Sequence, residues 1–193
     1  MTATQFVLET LTHRKIERVN FRYGPIRVYP AGYNRDVAKL VRDGHIQFTT
    51  QAGAHYTADH RPGERHTMAL PAQDFKHHLA EGTLTVRGTP SPLLRGTVVH
   101  EATHALQDYQ RNHTDPAMSE GAAYLAGWIT NLLWGYPELA TAPDRPTGHS
   151  CARELAGRFV HGHVGYVIPD ADVQTLNGLV AIGSPHRYVF NGI

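Results

Sequence analysis

Residues 92–111 form a twenty-residue stretch with no proline after its first position, and its apolar members Leu93, Leu94, Val98, Val99, Ala102, Ala105, Leu106 and Tyr109 fall at near-helical spacing. That spacing predicts one long helix, with Ser91 as N-cap and Pro92 in the first turn, where a missing N–H costs nothing. The chain before it is punctuated differently. Segments 45–50 (HIQFTT), 65–70 (RHTMAL) and 83–87 (TLTVR) are short, β-rich and bounded by Gly or Pro, which predicts strands. Residues 5–19 and 72–81 read as helical, and the part with Pro25, Pro30 and Gly32 as turn-rich. After 111, further helices are expected over 117–133, 150–161 and 171–181, with 136–148 as an exposed loop. Strands followed by helices argue for an α+β fold: a single domain over 1–193, strand-rich over 1–90 and helical over 91–193.

Composition narrows the partners. Lys and Arg number 18 against 17 Asp and Glu, a formal charge of +1, and no basic run occurs. A nucleic-acid or anionic-membrane partner would leave an electrostatic footprint, so neither is expected. The single Cys151 excludes an intrachain disulfide, which leaves the core or a bound metal to hold the fold. The N-terminus lacks the apolar run of a secretory signal. A cytoplasmic protein, or one released without such a signal, is expected.

The predicted long helix carries His100-Glu101-Ala102-Thr103-His104. Histidines at i and i+4 are offset by only about 40° around a helix and about 6 Å along it, so both imidazoles reach one metal ion. Neutral imidazole suits zinc, and Glu101, beside the first histidine, is placed to take a proton from water at the metal. With 14 histidines in 193 residues, random placement yields this pattern in roughly 0.04 of such chains. Accident is a poor explanation.

A catalytic zinc takes three protein ligands and keeps one position open. A third histidine six residues beyond the second is excluded, because Gln107 and Gln110 stand where that longer motif has Gly and His. The remaining candidates are His113, Asp108, Asp115, Glu120, Glu138, Asp144, Glu154, Asp170 and Asp172. Glu120 stands out, since its helix is otherwise almost free of charge and a buried carboxylate there needs a compensating cation. Glu154 has Arg153 beside it and Arg158 at i+4, which reads as a surface ion pair. The small residues Gly121, Ala122 and Ala123 would let the Glu120 helix approach the first. Asp108, one turn after His104, could orient that histidine through its other ring nitrogen, and Tyr124 shares a face with Glu120. Candidates for stabilising an oxyanion are His149, His161, His163, Tyr166, His186 and Tyr188, with the 161–166 cluster first. His77 and His78 read as surface residues, and Asp59, His60 and His66 as a loop with a remote prospect of a second metal.

The run from His100 to Tyr109, with Thr103 before the second histidine and Asp108-Tyr109 after it, resembles the active-site helix of the gluzincin, thermolysin-like metallopeptidases. Ser119-Glu120-Gly121-Ala122-Ala123 is similar to that family's second motif, whose glutamate is the third zinc ligand. The resemblance covers residues 98–128. It implies a zincin-like fold with an edge strand above the active-site helix that holds an extended peptide, and 66–70 (HTMAL) is the candidate for that strand. The chain departs from the pattern in a shorter spacing of 16 between His104 and Glu120, and in Tyr124 where the family has an aspartate. The expectation is a zinc metallopeptidase with Zn²⁺ on His100, His104 and Glu120, Glu101 as general base, and a peptide or protein as substrate. The alternatives are a zinc amidase acting on a non-protein amide, in the manner of a cell-wall or toxin-like effector, and a non-catalytic zinc-stabilised binding module.

Overall fold

The computed structural model describes residues 1–59, 65–78, 81–112, 114–136, 146–160 and 165–183. Helix α1 (Ala3–Thr12) opens on a capping box, in which Thr2 and Gln5 each bond the other's backbone N–H. It ends where His13 turns extended, and a 3-10 turn (Arg14–Arg18) follows, so the helical pattern over 5–19 is two elements. Strands β1 (Phe21–Tyr23) and β2 (Ile26–Val28) form a hairpin about Gly24, which adopts φ +55°. A π-helical turn (Gly32–Val37) then runs into α2 (Ala38–Arg42).

Strands β3 (Ile46–Gln51), β4 (His55–Thr57) and β5 (His66–Pro71) make one sheet in the order β3-β5-β4, parallel between β3 and β5 and antiparallel between β4 and β5. The segment expected to be the peptide-holding edge, 66–70, is therefore the central strand, paired on both sides. The edge beside α3 is β4.

The described residues of the segment 72–81 are not α-helical. After a short 3-10 turn (Ala72–Asp74), β6 (Phe75–His78) pairs antiparallel with β7 (Thr83–Val86). Phe75 and Leu79, four apart, imitate a helical repeat. The hairpin instead buries Phe75 and Leu84, turns through Gly82 at φ +59°, and joins His78 Nε2 to Thr85 Oγ1 at 2.8 Å.

The second half carries α3 (Pro92–Tyr109), α4 (Pro116–Leu133), α5 (Gly148–Val160), the short strand β8 (Tyr166–Val167) and α6 (Asp170–Gly183). Ser91 caps α3 through a bond from Leu94 N, and Asp115 caps α4 through a bond from Ala117 N. The arrangement is mixed α+β, with small sheets followed by helices. The halves are not segregated, because β8 returns to pair in parallel with β1. Buried apolar residues from Ala3 to Val180 form one cluster. No described helix is long and apolar enough to cross a membrane.

Two glycines set the distance between α3 and α4. A Cβ on Gly96 would stand 2.0 Å from Asn131 Oδ1 and 2.7 Å from Gly127 O, and one on Gly127 would stand 2.9 Å from Gly96 O. The helices run antiparallel with their backbones in contact, and His104 and Gln107 of α3 lie opposite Ser119 of α4. Gly121, expected to serve this approach, instead leaves room for the Tyr23 hydroxyl, which a Cβ would meet at 2.4 Å. Gly96→Ala is expected to lower stability by about 1–3 kcal/mol, because the clash outweighs the helix-propensity gain. Gly178→Ala in α6, with no heavy atom within 4 Å of the added Cβ, should raise stability by up to about 1 kcal/mol. Thermal melts of the two variants should move in opposite directions.

Candidate metal centre

Helix α3 places His100 and His104 on one face, their Nε2 atoms 3.3 Å apart. Glu120, near the start of α4, faces both, with Oε2 3.4 Å from His100 Nε2 and Oε1 3.4 Å from His104 Nε2. Glu101 Oε1 lies farther off, 3.9 Å from His100 Nε2. Glu101, His104 and Glu120 are each at most 5% exposed.

Glu101 Oε2 and Glu120 Oε1 are buried without a hydrogen-bond partner, a costly state for carboxylate oxygens. A cation between the carboxylates and the facing ring nitrogens removes that cost. His100, Glu101 and His104 bring ligand atoms within 4.8 Å of one another, so the group could hold a metal ion. A tetrahedral ion with bonds of about 2.0–2.1 Å to nitrogen and oxygen keeps its ligand atoms about 3.3–3.4 Å apart. The separations among His100, His104 and Glu120 match that edge; the separation to Glu101 exceeds it. The donor types and their spacing therefore fit a metal ion such as zinc.

The electrostatics divide the two carboxylates. Burial opposes ionisation of Glu120, but the two imidazoles facing it outweigh burial and hold its carboxyl far below the usual range. Burial pushes Glu101 up, and His100 and His104 offset this only in part. For His100, burial disfavours the cation, yet Glu101 and Glu120 together reverse the sign and raise its pKa. The two neighbouring carboxylates are thus shifted in opposite directions by their surroundings.

A layer of polar side chains holds the helix face in place. Thr103 donates to Val99 O at 2.7 Å, so the buried Tyr33 hydroxyl donates to Thr103 Oγ1 at 2.7 Å and ties α3 to the π-helical turn. Asp108, expected to orient His104, accepts the Tyr56 hydroxyl at 3.1 Å and lies 3.9 Å from His66 Nδ1. It thereby links α3 to the edge strand β4. The partner of His104 Nδ1 is Ser119 Oγ, at 3.2 Å, and Ser119 in turn bonds Gln107. Neither Ser119 nor Gln107 emerged from the sequence with a role; they stand on different helices twelve residues apart, so no local spacing pairs them.

Tyr124 stands edge-on to His100 with ring centres 4.9 Å apart, and His149, at the start of α5, lies 4.4 Å from Tyr124. The mouth of the centre is therefore lined by Tyr124 and His149. Tyr166 belongs to β8 and packs on Phe159 at 5.0 Å, and no described contact joins it to the four central residues. Asp115 is the α4 cap, and Glu154 is exposed on α5, where Arg158 pairs with Asp172 of α6 at 3.2 Å instead of with Glu154. His60, His113, Glu138, Asp144, His161, His163, His186 and Tyr188 lie outside the described residues. Comparison with protein-family models, with curated proteins and with solved structures finds no match, so the centre is read from its own geometry.

Proposed function

We propose that this chain is a zinc-dependent metallopeptidase of gluzincin type, with His100, His104 and Glu120 as metal ligands and Glu101 as general base. One observation carries the reading: two imidazole nitrogens and a carboxylate converge at the spacing of a tetrahedral ion, with a second buried, unpartnered carboxylate alongside. Held by His100, His104 and Glu120, a zinc ion would supply an acidified water and a polarised carbonyl. Glu101 takes the proton released by the attacking water and returns it to the leaving nitrogen, a transfer favoured by the upward shift that burial gives its pKa. His149 and Tyr124, at the mouth, are placed to donate to the oxygen that gains charge. Strand β4 has no described partner on its outer side, so an extended peptide can add there by backbone hydrogen bonds and pass over α3.

Digestion of a peptide library beside a cell-wall preparation tests the assignment. Peptide cleavage that stops with a chelator and returns with zinc is expected. Release from cell-wall material with peptides left intact would favour the amidase, and zinc-dependent melting without hydrolysis in either digest would favour the binding module.

A further inference from the structure

Behind the ligand face, three buried side chains form a chain of hydrogen bonds with a fixed direction. Gln107, one turn beyond His104 on α3, donates from Nε2 to the Ser119 backbone carbonyl at 3.3 Å. That bond leaves its Oε1 as the end facing the Ser119 hydroxyl, which donates to it at 2.5 Å. A hydroxyl has one proton. With that proton committed to Gln107, Ser119 Oγ can only accept from His104 Nδ1, 3.2 Å away. His104 thus carries a proton on Nδ1, which leaves Nε2, facing His100 and Glu120, as the ring atom that a metal ion can take. Ser119 and Gln107 are 1% exposed and His104 is 5% exposed, so water does not compete for these bonds.

We infer that Gln107 and Ser119 are positioning residues that lock His104 in the tautomer able to bind a metal ion through Nε2. The inference rests on the zinc reading for its consequence, not for its geometry. Without Gln107 as acceptor, the Ser119 hydroxyl is free to rotate and donate to Nδ1. That stabilises the opposite tautomer, whose Nε2–H faces the ligand set and blocks it. Outer partners of metal-binding histidines commonly carry about 10- to 100-fold in metal affinity.

The test is zinc affinity by chelator competition in the full chain, with melting curves to confirm folding. Ser119→Ala and Gln107→Met are each expected to weaken zinc binding by about 10- to 100-fold. The double variant should be no weaker than the weaker single, because the two residues act as one relay. Ser119→Thr, which keeps the hydroxyl, should bind within a few-fold of wild type, whereas the isosteric Ser119→Val should not. Wild-type affinity in Ser119→Ala and Gln107→Met, or equal loss in Ser119→Thr and Ser119→Val, would overturn the inference. Nitrogen-15 spectra of the histidine rings in metal-free protein give an answer that needs no zinc. His104 should show a protonated Nδ1 in wild type, and loss of that proton from Nδ1 in part of the population in Gln107→Met. A wild-type chain that binds no zinc yet shows this tautomer would fail the functional reading and keep the relay; the reverse tautomer in wild type would sink the relay whatever zinc does.

Discussion

Glu101→Gln is expected to keep one zinc per chain while cutting peptide hydrolysis by about 10²- to 10⁴-fold, the range a positioned general base contributes. The amide matches the carboxylate in shape but cannot take up a proton. Glu101 is 3% exposed, and its Oε2 is buried with no partner, so the substitution removes a desolvated charge and the melting temperature should hold or rise. Its Oε1 lies 3.9 Å from His100 Nε2, outside the tetrahedral edge of about 3.3–3.4 Å, which is why metal content should survive. Turnover measured with the same protein preparation used for zinc analysis checks both halves. Retained activity would remove Glu101 from the mechanism, and loss of zinc would move it into the ligand shell.

The convergence of residues at the candidate metal centre was partly legible because it depends on local helix geometry. His100 and His104 at i and i+4 must share a face once 92–111 is helical, and Glu120 was marked by being a lone carboxylate in an apolar helix. Both features are periodic, and periodicity is readable in one dimension. What could not be read depends on which element lies next to which. The roles of Gly96 and Gly127 arise only when α3 and α4 touch. Likewise, Asp108 turns towards Tyr56 and His104 towards Ser119 because β4 packs against one part of α3 and α4 against another. The central place of β5 follows from the short return strand β4, three residues long, which carries too little pattern to announce itself. The helical pattern over 72–81 misleads for a related reason: the strand character of Phe75–His78 is supplied by β7 across the hairpin.

The central claim is that Glu120 is the third ligand, and the effect of removing it should be the largest of any single change. Glu120→Ala takes away the carboxylate that stands 3.4 Å from each imidazole and holds His100 towards its charged form. It leaves two ring nitrogens 3.3 Å apart with no anion between them in the shell. Glu101, on α3 beside His100, stands farther off, its Oε1 3.9 Å from His100 Nε2. The loss should exceed the 10- to 100-fold expected for the Ser119 and Gln107 variants, because a direct ligand is gone and not merely its support. Zinc-to-protein ratio by atomic spectroscopy, on wild type and Glu120→Ala purified side by side, tests this most directly. Near one zinc per chain in wild type and near none in the variant is the predicted result; a ratio near one in both would contradict the assignment.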